Sequence, residues 1–176
     1  MAIPDFVANA ELTAAELNRM VSVLTPKWWK GILSAGKTTT SGQYTSLTFT
    51  SASDDEILAV TATSDSISSN TAGVFELSIR AWVSTVDSTG VRQLMVIKNP
   101  SANSVASSTN VTGTIIAHYD SDAEGDASPS MIVHEPRIRL LTTDKLLVVV
   151  YQNSGSTLTV SDSAWRTAFS LVYIGE

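Results

Sequence analysis

The run Phe75-Glu76-Leu77-Ser78-Ile79-Arg80-Ala81-Trp82-Val83-Ser84 decides the fold class. Phe75, Leu77, Ile79, Ala81 and Val83 alternate with Glu76, Ser78, Arg80, Trp82 and Ser84, and a period of two is that of a half-buried β-strand. Working outward, the same kind of pattern predicts strands at Tyr44–Thr50, Glu56–Thr63, Val91–Lys98, Val111–His118, Met131–Leu140, Lys145–Gln152, Ser156–Ser161 and Trp165–Ile174. Leu146-Leu147-Val148-Val149-Val150 is apolar at every position, which predicts a strand buried on both faces. Ser88-Thr89-Gly90, Asn99-Pro100, the stretch Ser121–Ser130 and Asn153-Ser154-Gly155 are turn signals between these runs. Strands spaced this way, with no helical period between them, predict a β-sandwich or jelly roll. The 25 Ser and 21 Thr agree, since Thr favours strands and Ser favours turns.

The first thirty residues read differently. Thr13-Ala14-Ala15-Glu16 fits a capping box, in which the Thr hydroxyl and the Glu carboxylate each satisfy a free backbone N–H. Leu17, Met20, Val21 and Leu24 follow at i, i+3, i+4 and i+7, one apolar stripe on a helix. Thr25-Pro26 ends it, because proline disfavours helical geometry in the residue before it. Such a short helix is unstable alone in water, so its stripe must dock on something. The predicted organisation is an N-terminal arm and helix over residues 1–27 and a β-sandwich domain over residues 28–176.

Composition narrows the function. A chain of 176 residues suits one domain. Lys+Arg number 11 against 17 Asp+Glu, a net charge of −6, which argues against a nucleic-acid surface because phosphate binding needs clustered cations. Zero cysteines exclude a disulfide framework and thiolate metal sites. The longest apolar run, Leu146–Tyr151, falls far short of the roughly 20 residues a membrane-spanning helix needs. The start, Met1-Ala2-Ile3-Pro4-Asp5, has neither the basic nor the apolar region of a secretory signal.

Motifs for chemistry fail on context. Gly31-Ile32-Leu33-Ser34-Ala35-Gly36-Lys37-Thr38 matches the phosphate-binding pattern G-x-x-x-x-G-K-[ST]. That loop needs a buried strand before it and a helix after it. Here Lys27-Trp28-Trp29-Lys30 precedes it, and the poor helix formers Thr39-Thr40-Ser41-Gly42 follow. Asp120, Asp122, Glu124 and Asp126 around Gly125 resemble a calcium loop, but Met131 stands where the pattern needs a bidentate Glu. His118 and His134 form no H-E-x-x-H, and no G-x-S-x-G elbow is present. The expectation is a non-enzymatic protein without cofactor or metal.

Two resemblances add to this reading. From Gly73 onward the chain resembles C1q/TNF-like jelly rolls. Gly73-Val74-Phe75-Glu76-Leu77-Ser78 is similar to their "GxYxxS" strand, Asp144-Lys145-Leu146 through Tyr151 to "GDxVxVxV", and Ala168-Phe169-Ser170-Leu171-Val172-Tyr173 to the closing "FSGxLI". Thr143 and Leu171 stand where that family prefers glycine. Separately, Ile3-Pro4-Asp5-Phe6-Val7-Ala8 followed by Leu12-Thr13-Ala14-Ala15-Glu16-Leu17-Asn18 is similar to the "F-x-A-G…LTAxxLN" opening of small virion proteins of tailed phages, with Asn9 near the usual Gly.

Together these resemblances imply an all-β, C1q/TNF-like jelly roll behind a short N-terminal arm and helix, in a homotrimeric structural protein on a phage particle. Trp82, on the polar face of its strand, and Tyr173 are the implied trimer-interface residues. Ile3, Phe6, Val7, Leu17, Met20, Val21 and Leu24 are the implied anchor to a major capsid or tail protein. The favoured expectation is capsid decoration or a head fibre. The alternative is a tail-tip or tail-fibre protein recognising a host-cell glycan, with Tyr119, Asp120 and Asp122 as receptor contacts.

Overall fold

The structure is a computed structural model, and it describes residues 13–15, 27–52, 60–63, 65–83, 89–102, 104–106, 108–122, 130–164 and 166–175. Its strands are β1 (Lys27–Leu33), β2 (Lys37–Thr39), β3 (Gln43–Ser46), β4 (Phe49–Ser51), β5 (Val60–Thr63), β6 (Ser66–Ser69), β7 (Gly73–Trp82), β8 (Val91–Lys98), β9 (Thr114–Asp122), β10 (Ser130–Leu140), β11 (Leu146–Gln152), β12 (Leu158–Val160) and β13 (Ala168–Gly175). They pair antiparallel in a five-stranded sheet, β10-β7-β13-β1-β4, and a six-stranded sheet, β5-β6-β11-β8-β9 with β3 also on β11. A two-stranded ribbon, β12-β2, completes the set. Apart from β5–β6 and β8–β9, neighbours in a sheet are not consecutive in sequence, which makes this the jelly-roll β-sandwich that the alternation predicts.

The alternation explains the layering. In β7 the inward residues Phe75, Leu77, Ile79 and Ala81 are fully buried, and they meet Leu94, Val96, Val148 and Val150 of the other sheet in one core. Trp29, Phe49 and Phe169 fill its centre, with the Phe169 ring 5.8 Å from Trp29 and 5.7 Å from Phe49. The Trp29 indole N–H donates to Ser51 Oγ at 3.0 Å, so the large ring is buried with its polar tip satisfied.

Strand β11 is buried on both faces, as its unbroken apolar run predicts. Leu146, Val148 and Val150 point into the main core, while Leu147 and Val149 join Met95, Ile97 and Val105 in a second cluster on the outer face of the six-stranded sheet. The cover is the β8–β9 connection, which runs beside β3. Ser46 N–H donates to Val105 O at 2.8 Å, Val105 N–H donates to Ser46 Oγ at 3.0 Å, and Tyr44 and Ser108 exchange backbone bonds. Gly113 ends this strap at φ +134°, where a Cβ would collide with Ile97. Only glycine adopts that backbone this close to the sheet.

Five strand readings change, the first being the short β2 (Lys37–Thr39), which no expected strand covers. Lys27-Trp28-Trp29-Lys30, read as unlike a buried strand, begins β1, because only Trp29, Gly31 and Leu33 turn inward and their polar neighbours mask the period. Tyr44–Thr50 is two strands in different sheets, since the chain crosses the sandwich at Leu47-Thr48. β6 (Ser66–Ser69) was hidden by its turn-like serines, and β9 runs four residues beyond His118. The helix stripe Leu17, Met20, Val21 and Leu24 lies outside the described residues, as do Ile3, Phe6 and Val7.

Candidate functional site

The two outer faces of the sandwich carry the polar chemistry, and on the five-stranded sheet the register lays the residues out in rows. One row is Lys30–Ser170–Ser78–His134; the next is Ile32–Ala168–Arg80–Ile132, with Thr50 beside Ile32. Trp28–Val172–Glu76 forms a third row toward the far end of the sheet. Apolar and charged side chains are thus interleaved on one surface. Ile132 is 54% exposed there, and Ile174, on the same side of β13, 56%. Lys30, Ser78, Arg80, Ile132, Ala168 and Ser170 line a shallow cleft of about 340 Å³. His134 Nδ1 lies 3.9 Å from Glu76 Oε1, an exposed pair of small energetic weight.

The two implied interface aromatics do not share this face. Trp82 stands on it, as its polar-face position predicts, but the Arg166 guanidinium covers its ring at 4.2 Å. The loop before β13 is fixed there by Ser161 N–H donating to Trp82 O at 3.0 Å and Trp82 N–H donating to Thr167 Oγ1 at 3.3 Å. Tyr173 is paired with Phe75 and turns toward the core, its ring edge-on to Phe75 at 5.5 Å with Lys27 Nζ 5.8 Å above it. Strand parity decides this: Tyr173 is an even number of residues from the inward Leu171 and Phe169.

Parity also separates the receptor residues. Tyr119 and Asp120 lie within β9 rather than at a loop tip. Tyr119 pairs with Leu94 and packs against the main core, whereas Asp120 is exposed on the other side and accepts from Gln93 Nε2 at 3.2 Å. Asp122 ends the strand, paired with Val91.

The phosphate-loop pattern is strand, turn and strand. Gly31–Leu33 belongs to β1 and Lys37-Thr38 to β2, which pairs with β12. Gly31 is small because a Cβ there would run into the Trp29 ring. Lys37 Nζ sits 3.9 Å from Asp65 Oδ1. Burial alone would raise the Asp65 pKa; hydrogen bonds from Ser46, Thr48 and Ser104, with the Lys37 charge, outweigh it and hold the carboxyl below its ordinary range. Asp65 thereby ties β3 and the strap together. Asp144 is similar: burial opposes ionisation, but Lys98 Nζ at 2.7 Å, Leu141 N–H and Asn99 hold its pKa down. Both carboxylates are structural ties.

Comparison with known proteins bears on the fold alone. No protein-family model matches the chain, and no curated protein matches it. Among solved structures, murine APRIL is similar at a TM-score of 0.63 and 12% identity, covering 85% of this chain and 100% of its own. Eiger TNF from S. frugiperda is similar at 0.59 and 11%, covering 86% and 94%. The fold is therefore TNF-like, in agreement with the resemblance read from Gly73 to the C-terminus.

Proposed function

We propose that this chain is a structural protein displayed on the surface of a tailed-phage virion, and that it assembles there as a homotrimer through the outer face of the five-stranded sheet. The observation that carries the self-association is the difference between the two outer faces. The chain's own strap covers Met95, Ile97, Leu147 and Val149 on one, leaving Ile115 exposed at its edge, while Ile132, Ile174, Trp28, Ile32 and Val172 on the other have no equivalent cover among the described residues. A ring of identical subunits would bury them and hide sheet edges at once. The phage assignment rests on the N-terminal resemblance, which makes Ile3, Phe6, Val7, Leu17, Met20, Val21 and Leu24 the anchor. Capsid decoration is the favoured role and a tail-fibre protein the alternative; the receptor surface of Tyr119 with Asp120 does not form, because Tyr119 turns inward.

Light scattering coupled to size exclusion tests the assembly. A mass of three subunits for the full-length protein, falling to one for Ile132→Glu with an unchanged circular-dichroism spectrum, is expected. A monomer at every concentration defeats the trimer. The anchor is tested by co-sedimentation with capsid shells of the phage that encodes the chain: deletion of residues 2–25 should abolish binding, and unimpaired binding sinks this assignment.

A further inference from the structure

The strap leaves part of the six-stranded sheet open. Val105 and Val111 lie over Met95, Ile97, Leu147 and Val149. Beside that cover the register brings Tyr44 of β3, Tyr151 of β11, Gln93 of β8 and Asp120 of β9 into one row, with Ser108 of the strap at its Tyr44 end. The two tyrosine rings are 4.7 Å apart at 37°, and both residues are half-buried, so the row has an aromatic half that still meets solvent. The polar half is the exposed Asp120 with the half-buried Gln93. Their mutual hydrogen bond, 3.2 Å from Nε2 to Oδ2, uses one amide proton and one carboxylate oxygen. The other amide proton, the amide oxygen and the second carboxylate oxygen retain hydrogen-bonding capacity.

We propose that this ledge binds a neutral oligosaccharide of two or three pyranose units. A pyranose presents an apolar C–H face and a rim of hydroxyls that donate and accept. Tyrosine rings match the first, and an amide beside a carboxylate matches the second. Strands lie about 4.8 Å apart, so four positions span roughly 14 Å, the length of two or three linked rings. The row contains a carboxylate and no cation, which disfavours uronic acids, sialic acids and phosphates. An apolar protein partner is disfavoured too, because it would desolvate Gln93 and Asp120 without satisfying them. The ledge faces away from the five-stranded sheet, so the inference does not rest on the assembly proposed above, and a monomer would bind equally well.

The test is a printed array of di- to hexasaccharides built from glucose, galactose, mannose, rhamnose and N-acetylglucosamine, with sialylated and uronic-acid probes beside them, read with the full-length protein. Isothermal titration then measures the strongest neutral hit. Binding to at least one neutral probe is expected, weakened about tenfold or more by Asp120→Ala and by Tyr151→Ala. Tyr151 also borders the strap cluster, so Gln93→Ala, at a polar position outside that cluster, serves as the companion variant and should weaken binding as well. A blank array, preference for the acidic probes, or affinity unchanged within about twofold in both Asp120→Ala and Gln93→Ala overturns the proposal.

Discussion

The six-stranded sheet has the centre of its outer face, around Met95, Ile97, Leu147 and Val149, covered from within the chain, whereas the five-stranded sheet shows no such cover among the described residues. The two faces are written differently. Under the strap the strands are apolar on both sides, as in Met95-Val96-Ile97 and Leu147-Val148-Val149. On the open face, apolar Ile32, Ile132 and Val172 are interleaved with Lys30, Arg80, Glu76 and His134. A continuous apolar face must be closed during folding, since no partner is guaranteed at that moment. An interleaved face tolerates water until a partner arrives, as non-obligate interfaces do.

The comparison is broken most severely by truncating matched apolar groups on the two faces. Leu147→Ala, under the strap, should cost about 3 kcal/mol by leaving a cavity, measured by urea unfolding at fixed protomer concentration. Retained stability would mean the strap cluster is not closed.

Next in size is the tie that holds the strap. Ser46→Ala removes an acceptor for Val105 N–H and a donor to Asp65, and should cost about 1–3 kcal/mol. Its carboxylate partner makes that tie acid-sensitive. With a folded-state pKa below that of the unfolded chain, Asp65 adds stability that is complete above about pH 4 and is lost as pH falls through the folded value, because the unfolded state takes up its proton first. Asp144 acts in the same direction. Thermal melts from pH 6 down to 2 should therefore show a steep acid limb, shallower in Asp65→Asn; equal limbs would remove Asp65 from the account.

A smaller loss, about 0.5–1 kcal/mol, is expected for Arg166→Ala, which uncovers the Trp82 ring. A blue-to-red shift in Trp emission would report the uncovering, and an unaltered spectrum would contradict it. Smallest is Ile132→Ala on the open face, within about 0.5 kcal/mol for the isolated subunit. The same substitution should raise the protomer concentration needed for the trimer, and a destabilised monomer would show that this face is closed internally after all.

Legibility followed burial. β7 and β11 were readable because one or both faces are continuously apolar, β8 from its apolar run Leu94–Ile97 and β10 from the alternation around Met131 and Val133. β1 was missed because Trp28 and two lysines flank its inward Trp29, and β6 because serines serve strands and turns alike. The candidate sites were harder. Tyr119 and Asp120, adjacent in sequence, belong to opposite faces, while Tyr44 and Tyr151 touch although 107 residues separate them (151 − 44).

By itself the sequence determined the all-β class, the jelly-roll pattern and the doubly buried β11, because period and apolar content are local properties of a chain. The tertiary structure decided which tyrosines meet, which tryptophan is covered, and which sheet face the chain closes for itself. Those outcomes depend on register between distant strands, where a shift of one residue exchanges the two faces.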